Sequence, residues 1–452
     1  MSINVVHQAY RFALDPTPAQ ERDLASHCGA ARFAYNWALA VVKANLDQRQ
    51  AERSYDTGED ALTPVLGWSL PALRRLWNQA KPQVAPWWRE CSKEVFNTGL
   101  ERVARGLKNW SDSRNGKRAG RKMGFPRFKS KRRAGLSCRF TTGTIRVEPD
   151  RHHVTLPRVG SIKTHESTRK LARRIEAGTA RILSATVRFS AGRWSVSFTC
   201  EVQRTQRTPA HPDSVIGVDL GVNHLAVLSS GEMIANPKHL KQALRKLRRT
   251  SRALSRKTGP DRRTGARPSR RWHKANQARN KVHHQVAGLR RDGIHKLTTR
   301  LARGHGVIVV EDLNVAGMLR NRKLARSIAD AGFAEIRRQL DYKTLWNGGQ
   351  LHVADRWYPS SKACSGCGEV KAKLPLQVRT FTCIACGLTL DRDHNAALNL
   401  KQQVARSGRE TVNGRGADRK TGPGPAGGRE ALIPHQKSGQ DGNRPLATAD
   451  CK

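Results

Sequence analysis

Two cysteine pairs carry the most specific chemistry in the chain: Cys364-Ser-Gly-Cys367 and, after fifteen intervening residues, Cys383-Ile-Ala-Cys386. Each pair can turn two thiolates onto one ion, and Gly366, Gly368 and Gly387 permit the tight turns this requires. Four thiolates leave no open coordination position, which describes a structural zinc and not a catalytic one. A ribbon so short cannot build a core of its own, so the metal would fold it. A zinc deaminase would need a His-x-Glu partner and an open ligand position, and neither is present.

A second pattern is acidic. Asp219 follows the apolar run Val215-Ile-Gly-Val218, and Glu311 follows Val307-Ile-Val-Val310. Asp391 and Asp393 stand in Leu390-Asp-Arg-Asp-His-Asn-Ala-Ala-Leu-Asn-Leu400, where Ala396, Ala397 and Leu400 suit a helix packed on a sheet. Carboxylates at strand and helix ends, drawn from distant sequence, are what a two-metal phosphodiesterase needs. Hard ions such as Mg²⁺ prefer oxygen, which excludes the neighbouring His394 as a ligand.

The partner implied by composition is a polyanion. Of 452 residues, 83 are Lys or Arg against 36 Asp or Glu, a formal net charge of +47. Such a surplus self-repels and is tolerated when phosphates neutralise it. Hydrophobic residues at 37% suffice for real cores, and the length suggests two to four domains. No run approaches the 18 apolar residues of a membrane span. The first residues lack a basic stretch followed by an apolar one, so no secretory signal is expected. Four clustered cysteines and five scattered ones fit a reducing cytoplasm with one metal site; the scattered ones read as small apolar core residues.

Several elements must position these groups. Tyr10-Arg-Phe-Ala-Leu14 alternates like a strand, and Thr17 with Pro18 starts a helix. Leu24, Cys28, Ala31, Phe33 and Tyr35 suggest two short helices. Ser92 to Trp110 carries Val95, Phe96, Leu100, Val103 and Leu107 at helical spacing. Arg114 to Arg133 is Gly- and Lys/Arg-rich and holds Gly124-Phe-Pro-Arg-Phe-Lys129, where aromatics could stack on bases. From Ser137 to Val202, short alternating strands predict a small barrel or sandwich. Leu225 to Leu228 should pair with the strand ending at Asp219. Residues 241–300 hold 20 Lys or Arg against two Asp. Leu244, Leu247, Leu254, Val282, Val286, Leu289, Ile294 and Leu297 make this a basic helical hairpin with its tip near 258–268. A helix is expected around Phe333 to Leu345 and a strand at Gln350 to Val353. The last 50 residues, with nine Gly and four Pro, read as a disordered tail.

Ile216-Gly-Val-Asp-Leu-Gly-Val-Asn223, Val310-Glu-Asp-Leu313, the two cysteine pairs and Asp391-Arg-Asp-His-Asn-Ala-Ala397 together resemble the TnpB (OrfB) family of insertion-sequence proteins, relatives of type V CRISPR effectors. Tyr10-Arg-Phe, Gly29, Arg32, Tyr35-Asn36 and Gly124-Phe-Pro-Arg-Phe-Lys129 fit it too, over about residues 8–400. The resemblance implies a multidomain α+β chain: a helical recognition lobe and small β-barrel wedge, then an RNase H-like (RuvC) α/β nuclease domain with an inserted zinc ribbon. The expected divisions are a nucleic-acid-binding lobe at 1–212 (helical part 15–135, wedge 1–14 and 136–212), the nuclease at 213–360 with its hairpin at 238–305, the ribbon at 361–388, the end of the nuclease at 389–402 and the tail at 403–452.

It also implies an RNA-guided DNA endonuclease with a guide RNA, a double-stranded DNA target, catalytic Mg²⁺ on Asp219, Glu311 and Asp393, and structural Zn²⁺ on Cys364, Cys367, Cys383 and Cys386. Asp393 is preferred to Asp391 because the family's last acid lies two residues before Asn-Ala-Ala. Two other readings stay open: a transposase acting on transposon ends, since three acids alone do not separate hydrolysis from strand transfer, and a guided DNA-binding repressor that does not cut.

Overall fold

The computed structural model describes residues 3–131, 134–205, 207–261, 263–375 and 377–410; most of the expected tail, from 411 onward, lies outside them. Strand β1 (Ile3–Asp15) runs into α1 (Pro18–Ser54), capped by Thr17, whose hydroxyl accepts from the Gln20 N–H while the Gln20 side chain accepts from the Thr17 N–H. The region expected to hold two short helices is one helix of 37 residues. Gly29 inside it costs about 1 kcal/mol against Ala. Burial of Leu24, Cys28, Ala31, Tyr35, Leu39 and Val42 along one face outweighs that cost. Helices α2 (Leu70–Val84) and α3 (Lys93–Arg114) follow. A Cβ on Gly99 of α3 would stand 2.3 Å from the Ala31 carbonyl oxygen, so that glycine lets α3 meet α1 backbone to backbone.

Next come β2 (Ser137–Phe140), β3 (Arg146–Val147), β4 (His153–Leu156), β5 (Gly160–Thr164), α4 (Arg169–Glu176), β6 (Ala180–Ser190) and β7 (Arg193–Thr205). The seven strands lie in the order β2-β6-β7-β1-β5-β4-β3. The long β1 pairs with β7 from Ile3 to Ala13 and hands its last two residues, Leu14 and Asp15, to β5. The expected closed barrel is not formed: among the described residues no ladder joins β2 to β3, so the sheet stays open. Its apolar face (Phe12, Phe140, Val196, Phe198, Val202) shares one core with α1 and α3. That helical cover supplies the burial that closure would otherwise have provided.

A second sheet starts at β8 (His211–Asp219), folds back through β9 (His224–Leu228) and β10 (Met233–Ala235), and leaves by the basic hairpin α5 (His239–Ser255) and α6 (Arg270–Gly304). The hairpin is as the sequence predicts, except that Leu289 is exposed. Strand β11 (His305–Glu311) returns beside β8; α7 (Val315–Met318), α8 (Ala325–Ala331), α9 (Phe333–Trp346) and β12 (Gln350–Ala354) follow. The order is β10-β9-β8-β11-β12, antiparallel up to β8 and parallel from β8 to β12. One face packs on α6, α8 and α9. The other meets the last helix, α10 (Arg392–Glu410), after the short hairpin of β13 (Thr380–Thr382) and β14 (Thr389–Asp391).

Candidate metal centres and nucleic-acid surface

In the β8–β11 ladder Val307 opposes Val215, and Val309 opposes Gly217. Successive strand residues alternate faces, so Val215, Gly217 and Asp219 share one face with Val307, Val309 and Glu311. That face receives α10 at Leu400 and Val404. Gly217 is what admits the helix: a Cβ there would stand 2.0 Å from the Ala397 carbonyl oxygen and 2.8 Å from the Lys401 nitrogen. Parallel register and this close contact bring Asp219, Glu311 and the first turn of α10 together from three distant parts of the chain.

Electrostatics records the convergence. Burial pushes the Asp219 carboxyl well above the usual carboxylate range, and the nearby charges of Glu311, Asp393 and Asp391 push it further, with Arg392 opposing. Burial also raises Glu311, with Asp393 adding to it, against the Ser360 hydroxyl, which donates to Glu311 Oε1, and Arg392. Two acids that stand beside these are otherwise engaged. Asp312 pairs with Arg337 and Arg356. Asp391 caps α10, accepting from the N–H groups of Asp393 at 2.9 Å and His394 at 3.1 Å. Asp393 meets Arg379 Nη1 only at 3.5 Å. Like charges gathered out of water are what a divalent cation relieves, so Asp219, Glu311 and Asp393 suit Mg²⁺ in their donor chemistry. Their oxygens do not all lie within 4.8 Å of one another, as the cysteine sulfurs do.

Sequence reasoning missed the groups that brace this cluster. Asn399 donates to the carbonyls of Ser360 (2.8 Å) and Ala363 (2.7 Å), and Asn395 to Ala363 (2.7 Å) while accepting from the Ser365 N–H (3.0 Å). Arg392, also buried, donates to the Pro375 carbonyl at 3.0 Å. These contacts stitch the segment bearing Ser360, and the root of the cysteine ribbon, to α10. Buried asparagines four apart on the stripe of Ala396, Ala397 and Leu400 are the signal that could have revealed them.

All four predicted cysteines come together. Sγ atoms of Cys364 and Cys386, and of Cys367 and Cys383, are 3.6 Å apart, and the four lie within 4.8 Å. Tetrahedral zinc with bonds of about 2.3 Å sets sulfurs about 3.8 Å apart, so the donor set is compatible with zinc. The two knuckles are built alike: the Cys364 and Cys383 N–H groups donate to Glu369 and Leu388, and those of Gly368 and Gly387 donate back to Cys364 and Cys383. Both glycines have positive φ, 84° and 72°. Burial raises the Cys364 thiol, but the N–H groups of Cys367 and Gly366 and the neighbouring thiols bring it down to about 6.

Three basic regions stand out among the described residues. Within 241–300 only Arg290, Lys296 and Arg300 form ion pairs among the described residues. The loop after α3 is fastened to α1: Asn36 exchanges hydrogen bonds with Lys129, and Lys129 Nζ sits 3.5 Å from the centre of the Tyr35 ring. Of its two phenylalanines, Phe125 packs edge-on against Trp110 and Phe128 is exposed, so one is core and one is free to meet a base. The third place was not read from sequence. It is a cleft of about 720 Å³ whose lining includes Arg173, Arg174, Arg204, Arg207, Arg303 and Trp346 and no acid. The Arg204 guanidinium lies 4.1 Å from the centre of the Trp346 indole.

Known proteins resemble this chain. Family models described as "Probable transposase", "Cas12f1-like, TNB domain" and "Helix-turn-helix domain" match residues 197–322, 333–400 and 1–51; the last covers β1 and most of the single helix α1. "Putative RNA-guided DNA endonuclease Rv2885c" of Mycobacterium tuberculosis is 44% identical over 94% of this chain and 93% of its own. Proteins of like name from Streptomyces pristinaespiralis (34%; 87% of this chain, 89% of that) and Escherichia coli K12 (InsQ, 30%; 87% and 91%) also match. A solved Cas12f1–sgRNA–target DNA complex aligns at 12% identity and TM-score 0.48, covering 88% of this chain and 99% of that one. No helix among the described residues is long and apolar enough to cross a membrane. On its sequence identity to these relatives along nearly its whole length, the chain belongs to the OrfB (TnpB) family.

Proposed function

We propose that the chain is a transposable-element-encoded, RNA-guided DNA endonuclease that hydrolyses phosphodiester bonds at Asp219, Glu311 and Asp393. The observation that carries this reading is the β8–β11 register and the seating of α10 on Gly217, which bring Asp219, Glu311 and the turn bearing Asp393 together in a chain of net charge +47. Two Mg²⁺ held by these acids would activate the attacking water and stabilise the leaving oxygen. The protein's own part is positioning. Ser360 orients Glu311, Asp391 is held by the helix cap so that Asp393 is the acid presented, and Arg392 offsets part of the charge. Zinc on the four cysteines would fix the ribbon, from which β14 leads straight into that cap.

In this reading residues 1–212, the hairpin 238–305 and the basic cleft grip guide RNA and double-stranded DNA. The nuclease comprises 213–360 and 389–402 around the ribbon 361–388. Base pairing reads sequence while the protein holds phosphates. The test is to express the protein with its native flanking locus, sequence the RNA that co-purifies, and assay Mg²⁺-dependent cutting of DNA matching it. Asp219→Ala should abolish cutting and spare RNA binding; unchanged cutting removes the site assignment. The "Probable transposase" description favours strand transfer as the second reading. RNA-independent joining of transposon ends would establish it, and a discrete RNA without cutting would indicate a guided binder.

A further inference from the structure

Ten tryptophans occur in the chain, and Trp357 alone among them is exposed, at 85%. It does not hang from a loose loop. Its own N–H donates to Asp355 Oδ1 at 2.7 Å. On one side, Arg356 pairs with Asp312, next to Glu311. On the other, the Tyr358 hydroxyl donates to the Asn399 carbonyl of α10 at 3.2 Å, and Tyr358 packs in the core beneath the acids. Ser360, three residues on, is buried and donates to Glu311 itself. Three residues span at most about 11 Å, so the indole rises from backbone fastened to the acid cluster.

A fixed backbone with its largest apolar side chain in water loses the burial that the other nine indoles obtain, and a planar π-face there suits a planar partner. We infer that Trp357 is a stacking platform for an unpaired base of the DNA strand at the acid cluster, holding the phosphate next to that base against Asp219, Glu311 and Asp393. The inference rests on the proposed nuclease reading for its ligand. Arg356 and Arg337, two guanidiniums sharing the single carboxylate of Asp312, supply net positive charge beside the platform. Any base offers a π-face, so this contact orients the strand without reading its sequence.

Two readouts on the full-length protein with its co-purified RNA test this. First, short single-stranded DNA carrying 2-aminopurine is titrated in Ca²⁺ without Mg²⁺. Wild type should quench the probe, Trp357→Phe should keep most of the quench, and Trp357→Ala should lose it. Second, single-turnover cutting of matched DNA should slow about 5- to 150-fold in Trp357→Ala, the range expected for one lost base stack. One abasic position near the cut should slow wild type equally and add nothing in the variant. Unchanged thermal melting is expected, because the side chain is exposed. Quenching that persists in Trp357→Ala, or cutting by that variant at the wild-type rate, overturns the inference. Loss of the quench in a protein that never cuts upholds the stacking site and overturns the nuclease reading instead.

Discussion

The cysteine cluster and the carboxylate cluster each gather ionisable groups whose donor chemistry suits a metal, but they arise in opposite ways. The cysteines lie within 23 residues of sequence and in two knuckles of identical hydrogen bonding. Little besides Phe381, Leu374 and Leu388 packs around them. There a bound ion would be part of what makes the structure. The carboxylates come from positions 219, 311 and 393. They meet only because two parallel strands are in register and a helix seats on Gly217. There the structure makes the site, and like charges are held out of water at a cost to stability. The two are linked in sequence, since β14, which directly follows the ribbon, ends in Asp391, the cap of the helix that carries Asp393.

The largest effect is expected on the cysteine side. Cys383→Ser should reduce bound zinc from one per chain to none by elemental analysis. It should forfeit a metal-binding free energy on the order of 10 kcal/mol. Hydrogen exchange should show β13 and β14 unprotected, and cutting should fall with them because the cap of α10 loses its support. Ordinary protection in a zinc-free variant would mean that the ribbon folds by itself.

On the carboxylate side, Gly217→Ala would set a methyl group 2.0 Å from a helix carbonyl. Backbone on both sides cannot yield cheaply, so urea unfolding should show a loss of roughly 1–3 kcal/mol. Cutting should drop on the order of 100-fold through misplacement of Asp393. Zinc content should stay at one per chain, which separates the two centres.

The smallest effect has the opposite sign. The folded pKa of Asp219 is raised above its unfolded value near 3.9. Its ionisation therefore opposes folding, with no penalty below about pH 4 and a growing one as pH rises toward the folded pKa. Asp219→Asn should stabilise the Mg²⁺-free protein at pH 8 and leave it unchanged at pH 4. Thermal melts at the two pH values check this, and equal melting at pH 8 would show that the carboxylate bears no strain.

Local patterns were legible where one segment fixes its own geometry. The Thr17 cap, the helix from Ser92, the basic hairpin and the clustering of the four cysteines follow from spacing alone and stand in the structure as read. Errors arose where partners lie far away in sequence. Continuous burial against α3 and the first sheet makes α1 one helix and not two. The same helices cover that sheet, which remains open where alternation suggested a barrel. Asp312 and Asp391 stand close to Glu311 and Asp393 in sequence; arginines from α9 and from beyond β12 engage one, and a helix N-terminus the other.

The sequence by itself determined the inventory: which donors are present, which are sulfur and which oxygen, and how much positive charge surrounds them. It determined the cysteine knuckles outright, because a CxxC pair needs only its own backbone to aim two sulfurs. Only the tertiary structure decided the carboxylate cluster and the exposure of Trp357. A strand register, a glycine without a Cβ and two buried asparagines act between segments that no local periodicity connects.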